Sequence, residues 1–153
     1  MKKKLYTAIA SGAISLSAFN AGANDTFNTG SETITGDQDY TNDLSFRNDA
    51  AQTFTGTVTS GQFISTDDSA KPVFKGPVSS NSHFYIHGNS EPIFEDTVTA
   101  GTSMSIYDSA KPIFKSPTST GIFIRIFGTS EPIFEDTVTA GIYLLINDSE
   151  ACI

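Results

Sequence analysis

The chain contains the stretch Ser90-Glu91-Pro92-Ile93-Phe94-Glu95-Asp96-Thr97-Val98-Thr99-Ala100-Gly101, and the same residues recur unchanged from Ser130 to Gly141. Within it lies a shorter frame, Pro-x-Phe, that returns every twenty residues without an insertion. Its copies are Pro72/Phe74, Pro92/Phe94, Pro112/Phe114 and Pro132/Phe134. An unbroken period of this length indicates that each copy fills one equivalent layer of a stack.

Rows of twenty residues place the large apolar side chains in columns. The columns are Phe54, Phe74, Phe94, Phe114 and Phe134; Val58, Val78, Val98, Thr118 and Val138; Leu44, Ile64, Phe84, Met104, Ile124 and Leu144; and Phe46, Thr66, Ile86, Ile106, Ile126 and Ile146. Within a row these positions lie two or four apart, which is the spacing of one strand face and excludes a helix. Turn residues such as Gly101 and Asp108 recur at fixed places and divide each row into two or three short strands. We therefore predict an all-β fold with these columns facing inward.

Two all-β architectures fit this pattern: a solenoid with parallel pairing from coil to coil, and an antiparallel meander of hairpins. Charged residues distinguish them, because two outward columns alternate in sign. These are Lys71, Glu91, Lys111 and Glu131, and Lys75, Glu95, Lys115 and Glu135. In a solenoid, neighbours in a column lie about 4.8 Å apart, where opposite charges attract. The alternation favours a parallel solenoid of about five coils.

The N-terminus has the pattern of a secretory signal peptide over residues 1–23. Three lysines, Lys2 to Lys4, precede a weakly apolar stretch that ends at Phe19, and Ala21-Gly22-Ala23 fits a cleavage site. Removing this segment takes away three of nine basic residues and none of seventeen acidic ones, which leaves a net charge of −11. We expect an exported protein that does not bind nucleic acid and has no membrane span once the signal is removed.

The rest of the chain divides into two parts. Residues 24–43 are rich in Asn, Thr, Ser, Gly and Asp, and we expect a loosely ordered leader or a first coil. Residues 44–153 carry the solenoid repeats, and the last coil is incomplete because the chain stops just before the next core Phe position. The single cysteine, Cys152, lies beside this end and excludes an internal disulfide. An uncapped final coil suggests the front piece of a longer protein.

An export signal followed by uninterrupted Thr/Ser/Gly/Asn-rich coils with Phe and Val columns resembles the passenger region of bacterial autotransporter adhesins. The resemblance covers nearly the whole mature chain. It implies a right-handed parallel β-helix displayed at the outer surface of a Gram-negative cell, serving adhesion, aggregation or biofilm formation. Such proteins end in an outer-membrane β-barrel, and no segment here could build one. We therefore expect a fragment that lacks its translocator barrel, at the cell surface if complete and in the periplasm if truncated as seen.

Outward positions of the second strand in each row carry an unusual number of aromatic residues. The candidate binding residues are Phe63, His83, Tyr85, His87, Tyr107, Phe123, Arg125, Phe127 and Tyr143. Aromatic residues on a solvent face are typical of a surface that recognises a partner. The alternative hypothesis is thus a complete small periplasmic or surface module that binds a glycan or a protein of a host or neighbouring cell.

Enzymatic chemistry finds little support in the sequence. The acidic residues Asp67, Asp68, Asp96, Asp108, Asp136 and Asp148 recur at turn positions, where Asp accepts local backbone hydrogen bonds. His83 and His87 lie four apart on a predicted strand, about 13 Å along an extended chain, which is too far to share one metal ion. We therefore predict a protein that is not an enzyme and holds no metal or other cofactor.

Overall fold

The computed structural model describes residues 20–21 and 25–147, and in this part of the chain every regular element is a β-strand. The strands pair in parallel and form a β-solenoid of about six coils, close to the predicted five. The predicted all-β solenoid is confirmed, whereas its right-handedness stays a prediction. The described residues leave out most of the predicted signal segment. They also leave out everything after Asn147, including Cys152.

Each coil contributes one short strand to each of three parallel sheets. Sheet A contains β1 (Asn20–Ala21), β4 (Gln38–Tyr40), β7 (Val58–Ser60), β10 (Val78–Ser80), β13 (Val98–Ala100), β16 (Thr118–Thr120) and β19 (Val138–Ala140). Sheet B contains β2 (Asp25–Phe27), β5 (Leu44–Phe46), β8 (Phe63–Thr66), β11 (His83–Ile86), β14 (Ser103–Ile106), β17 (Phe123–Phe127) and β20 (Tyr143–Asn147). Sheet C contains β3 (Thr33–Ile34), β6 (Thr53–Phe54), β9 (Val73–Phe74), β12 (Ile93–Phe94), β15 (Ile113–Phe114) and β18 (Ile133–Phe134).

Pairing partners lie twenty residues apart through most of the stack, as the sequence period predicts. Phe94, for example, pairs with Phe74 on one side and with Phe114 on the other. The start of the stack differs, because Asp25 pairs with Leu44, nineteen residues away. The shorter step lies in the turn that precedes β3, since from β3 onward the offset is twenty. Residues 25–43 thus form three strands in register with the coil that follows.

The core is a set of side-chain columns that run along the solenoid. The rings of Phe54, Phe74, Phe94, Phe114 and Phe134 stack face to face, with centroids 4.8–5.2 Å apart. The four inner rings of this series, from Phe54 to Phe114, are at most 1% exposed. The inward position predicted for the Val and Ile columns is confirmed in the inner coils, where Val78, Val98 and Ile106 are also buried. Each fully buried large side chain contributes about 1.5–3 kcal/mol to folding.

Small residues fill the corners between sheets, where a large side chain has no room. The corner between sheets A and B carries Ser60, Ser80 and Ala100, which are all buried. The hydroxyl of Ser80 lies 2.9 Å from the carbonyl oxygen of His83 and 3.3 Å from that of Gln62. These hydroxyls satisfy the turn carbonyls and tie one coil to the next.

The corner between sheets B and C turns through a left-handed residue in each coil. Asn48, Asp68, Gly88, Asp108 and Gly128 have φ values between 53° and 72°. Asn, Asp and Gly are the residue types that tolerate this conformation at low cost. The carboxylates of Asp68 and Asp108 each accept a hydrogen bond, 3.2 Å long, from the backbone N–H of Asn48 and Gly88 in the preceding coil. Both aspartates lie at turns, as predicted, but their carboxylates bond to the preceding coil and not to the local backbone.

Of the six neighbouring pairs in the two alternating charge columns, all within the described residues, three are in salt-bridge contact. Lys71 pairs with Glu91 at 2.6 Å, Lys111 with Glu131 at 2.7 Å, and Lys115 with Glu95 at 3.5 Å. All of these side chains are solvent-exposed, so each pair contributes only about 0.2–1 kcal/mol. The ladders therefore favour one register more than they add to stability.

Substituting Phe94→Ala should test the stacked core. The change removes a ring held between two others, and we expect a loss of about 3–5 kcal/mol in the free energy of unfolding. Phe134→Ala is the matched control, because Phe134 lies in the last described coil and is only partly buried. Its loss should be clearly smaller in urea titrations. Equal losses in the free energy of unfolding of the two variants would contradict a core that is packed more tightly in its middle coils than in the last described coil.

Substituting Gly88→Ala should test the left-handed corner. Gly88 has φ +66°, and an added Cβ would lie 2.8 Å from the backbone N and O of Asp68. We expect a drop of about 1–3 kcal/mol in the free energy of unfolding, from backbone strain and from the close contact. Asp108→Asn is the control, since Asn keeps the tolerance for this φ. A Gly88→Ala protein as stable as this control would rule out the described corner.

Candidate functional site

The predicted binding residues lie together on the outward side of sheet B. We define the aromatic stripe as Phe63, His83, Tyr85, His87, Tyr107, Phe123, Arg125, Phe127 and Tyr143. Their outward position follows from strand alternation, because the intervening residues Phe84, Ile86, Ile124 and Ile126 point into the core and are buried. The stripe residues are partly exposed, and Tyr143 reaches 41%.

One column of the stripe is a stack of three rings. His87 stacks on Tyr107 with centroids 4.9 Å apart, and Tyr107 stacks on Phe127 at 5.2 Å with an interplanar angle of 3°. The ring spacing is close to the strand spacing of about 4.8 Å. Stacking along the solenoid axis covers the ring faces of Tyr107, and all three residues remain partly exposed.

The second column is organised around Arg125. Its guanidinium carbon lies 4.2 Å from the centroid of the Phe123 ring, a cation–π contact. The Tyr143 ring also stacks on Phe123, with centroids 5.3 Å apart. Arg125 Nη2 also donates a hydrogen bond to the Tyr143 hydroxyl at 3.2 Å, and this bond raises the pKa of Arg125. Arg125 is therefore packed into the stripe and is not a simple solvated side chain.

Three rings follow one another along β11 and the residue after it. Tyr85 lies between His83, which stacks on it at 5.5 Å, and His87, which is tilted against it at 5.9 Å. Phe63 of the preceding coil approaches Tyr85 edge-on at 5.9 Å. His83 and His87 thus lie on opposite sides of Tyr85. Within the described residues no three His, Cys, Asp or Glu side chains are grouped so as to hold a metal ion.

The coil between these two groups carries serines on the same outward side. Ser103 and Ser105 are only 1% and 4% exposed, although by alternation they face away from the core. They pair in register with His83 and Tyr85 on one side and with Phe123 and Arg125 on the other. The larger neighbours therefore cover the serines. As a result, the stripe is one continuous surface and not two separate aromatic patches.

A shallow polar depression lies beside the stripe at the corner between sheets B and C. It is lined by Arg47, Asp67, Asp68, His87, Gly88 and Asp108. Two of its three carboxylates, those of Asp68 and Asp108, are used in backbone hydrogen bonds. Asp96 and Asp136 likewise accept from the N–H of the next residue at 2.6 Å. Asp96 and Asp136 thus make the predicted local bond, whereas Asp68 and Asp108 bond to the preceding coil.

A second outward stripe, on sheet C, is not among the predicted binding residues. We define the aliphatic stripe as Val73, Ile93, Ile113 and Ile133, the middle residues of the Pro-x-Phe frame. The first three are partly exposed, and Ile133 is 51% exposed. The two charge ladders flank this stripe. The sequence does carry a signal for this stripe. Successive side chains of a strand point to opposite faces, so the middle residue of the Pro-x-Phe frame must face outward when the Phe beside it faces inward.

The hydrogen bond between Lys111 and Glu131 affects both groups of one ladder. It raises the pKa of Lys111 and lowers the pKa of Glu131, so both stay charged over a wide pH range. Glu91, on the other side of Lys111, adds a further favourable charge interaction. The acidic residues on both sides of Lys111 in this column thus stabilise its charged form.

Asp43 is a buried carboxylate in the coil before Phe63, one coil ahead of the stripe. It is 9% exposed, and its Oδ1 atom is buried without a hydrogen-bond partner. Burial raises the pKa of Asp43, and a backbone hydrogen bond from Phe63 partly offsets this. Because the folded-state pKa is raised, ionisation destabilises the fold as the pH rises through that pKa.

Substituting Asp43→Asn should therefore stabilise the protein at pH 7, because the uncompensated buried charge is removed. The gain should vanish well below the ordinary Asp pKa of about 3.9, where the carboxyl is protonated in both states. Thermal melts between pH 3 and pH 7 measure this, with the exposed Asp49→Asn as the control. A gain that does not depend on pH would show that the charge of Asp43 is not the cause.

In the described part of the chain no helix has the length and apolarity needed to cross a membrane. Comparison with protein-family models, with curated proteins and with solved structures finds no match for this chain.

Proposed function

We propose that this protein is a non-catalytic, exported β-solenoid of the autotransporter-passenger type that acts in adhesion through its aromatic stripe. The partner is a surface protein of a host or neighbouring cell. Export is supported by the lysine-rich start and the small-residue motif that ends at Ala23. Adhesion is supported by the site on sheet B.

The observation that carries the proposal is the continuity of the aromatic stripe on a solvent-facing sheet. It runs from Phe63 to Tyr143 through five successive strands of sheet B. The buried columns beneath it already supply the core, so the fold does not need a second set of rings outside. Tyr, Phe and Arg clustered on an exposed face are typical of protein interfaces, where they supply contact area at a low entropic cost.

The orientation of the rings favours a protein over a glycan as the partner. Sugars bind to aromatic side chains mainly through exposed ring faces, but the faces of Tyr107 and Phe123 are covered by neighbours on the stripe. Stacked rings leave their edges for a partner, and the polar groups of the stripe are the tyrosine hydroxyls, the Arg125 guanidinium and the histidine nitrogens, of which His83 Nδ1 already pairs with Ser82. Such a surface suits a partner that packs against ring edges and supplies hydrogen-bond acceptors.

A non-catalytic role is supported by how the acidic residues are used. Asp68, Asp96, Asp108 and Asp136 each accept a backbone hydrogen bond at a turn. These bonds orient the carboxylates toward the backbone, and a carboxylate acting as a general acid or base must instead reach a substrate. Polysaccharide turnover that is lost in Asp96→Asn or Asp136→Asn would overturn this part of the proposal.

Binding of the fluorescently labelled chain to cultured cells tests the site. The double substitution Phe123→Ala and Phe127→Ala should weaken binding at least about tenfold, because it removes one ring from each column of the stripe. The matched control is Thr99→Ala with Thr139→Ala, which truncates outward residues of sheet A. Circular dichroism checks that both variants keep their strands.

Pretreatment of the cells identifies the class of partner. Protease treatment should abolish binding, whereas periodate oxidation of surface glycans should leave it unchanged. Binding that survives protease and is lost after periodate would replace the protein partner by a glycan. Binding that is unaffected by the Phe123/Phe127 double substitution would exclude the stripe as the site.

A further inference from the structure

We propose that the outward face of sheet C binds a second copy of this chain, with the two solenoid axes antiparallel. The surface consists of the aliphatic stripe and the two charge ladders beside it. It lies on a different sheet from the aromatic stripe, so the proposal does not rest on the proposed function.

The surface is regular because the chain crosses it in the same way in each coil. Backbone N–H groups of Glu91, Ile93 and Glu95 donate to carbonyls of the preceding coil at 2.8–3.0 Å. Exposure alternates along this segment, with residues 91, 93 and 95 outward and Pro92 and Phe94 buried. The same pattern holds for residues 71–75 and 111–115. Each coil therefore presents one charge, one aliphatic side chain and a second charge of the same sign.

The sign of the charge changes from coil to coil but not within a coil. Lys71 and Lys75 share one row, Glu91 and Glu95 the next, Lys111 and Lys115 the third, and Glu131 and Glu135 the fourth. This arrangement decides how two copies can meet. A two-fold axis along the solenoid would place Lys71 opposite Lys75 of the second copy, and like charges would face each other in every row.

A two-fold axis parallel to the strands, midway between β12 and β15, gives the opposite result. It places Glu91 opposite Lys111 of the second copy and Lys71 opposite Glu131. The second ladder behaves in the same way, since Glu95 meets Lys115 and Lys75 meets Glu135. All charges on the face then meet opposite charges. Shifting the axis by half a step onto a coil would place Glu91 opposite Glu91, so only one family of registers is favoured.

The aliphatic stripe is matched under the same symmetry. Ile93 faces Ile113 of the second copy, and Val73 faces Ile133, the most exposed member of the stripe. The aliphatic stripes of the two copies therefore pack against each other, with complementary charge ladders on both sides. An isologous interface requires this kind of self-complementarity.

The size of the face predicts a weak association. Four rows at about 4.8 Å and five residues at about 3.3 Å cover far less than the roughly 800 Å² that each partner buries in a stable complex. The protein should therefore be monomeric at micromolar concentration and dimerise toward millimolar concentration. Added salt should weaken the dimer because the charges are exposed.

Sedimentation equilibrium with charge-swapped variants tests the proposal on the full chain, under reducing conditions so that Cys152 cannot form an intermolecular disulfide. Lys111→Glu alone sets two carboxylates against each other across the two-fold axis, twice in the dimer. Glu91→Lys alone sets two ammonium groups against each other at the same places. Each variant should self-associate at least about tenfold more weakly than the unchanged protein. Arg47→Glu, which makes the same charge change away from sheet C, should leave self-association unchanged.

Mixing the two variants should restore association. In the mixed dimer, Glu91 of one copy faces Lys111 of the other, and the two substituted residues also have opposite signs. Recovery in the mixture supports the antiparallel arrangement, and circular dichroism verifies that both variants are folded. An unchanged protein that stays monomeric at about 1 mM would overturn the proposal. It would equally be overturned by a folded Lys111→Glu variant that associates as tightly as the unchanged protein, or by a mixture that does no better than its components.

Discussion

The parallel backbone ladder between coils is the constraint on which the rest of this structure depends. Each coil donates hydrogen bonds to the one before it, for example from Lys111 N–H to Ser90 O and from Lys115 N–H to Phe94 O. This fixes equivalent residues about one strand spacing apart. Aromatic rings can stack at that separation, and opposite charges can pair. The backbone therefore determines that any side chain repeated every twenty residues becomes part of a continuous column.

The same constraint shapes the surface. Inside the solenoid it produces the Phe column, and outside it produces the aromatic stripe on sheet B and the charge ladders on sheet C. An outward side chain therefore has two roles: it packs against the neighbouring coils, and it is available to contact a partner. Tyr107 shows this clearly, since it stacks on both His87 and Phe127 and still has its ring edge toward solvent. Both proposed interfaces use what the stacking leaves available: ring edges on one face, and exposed charges with aliphatic tips on the other.

Much of the fold could be predicted because the repeat reports directly on contacts between coils. The Phe column, the ion pairs of Lys71 and Lys111, and the left-handed turn at Asp68 all follow from residues that recur at one spacing. The small corner residues such as Ser80 could not be predicted, because their role depends on where one sheet meets the next. The packing of Arg125 on Phe123 was also missed, since one arginine in one coil forms no pattern. The aliphatic stripe is not among the predicted columns, although the parity of Ile93 beside the inward Phe94 places it outside.

Distances between spin labels on one outward column would test the stacked register most directly. Cys152→Ser removes the native thiol, and labels are then placed in pairs at Thr59 with Thr99, Ser119 or Thr139, residues of sheet A that follow one another coil by coil. The account predicts backbone separations of about 10, 14 and 19 Å, increasing by one strand spacing per coil. Separations that do not increase in this order would contradict the stacking of residues twenty apart.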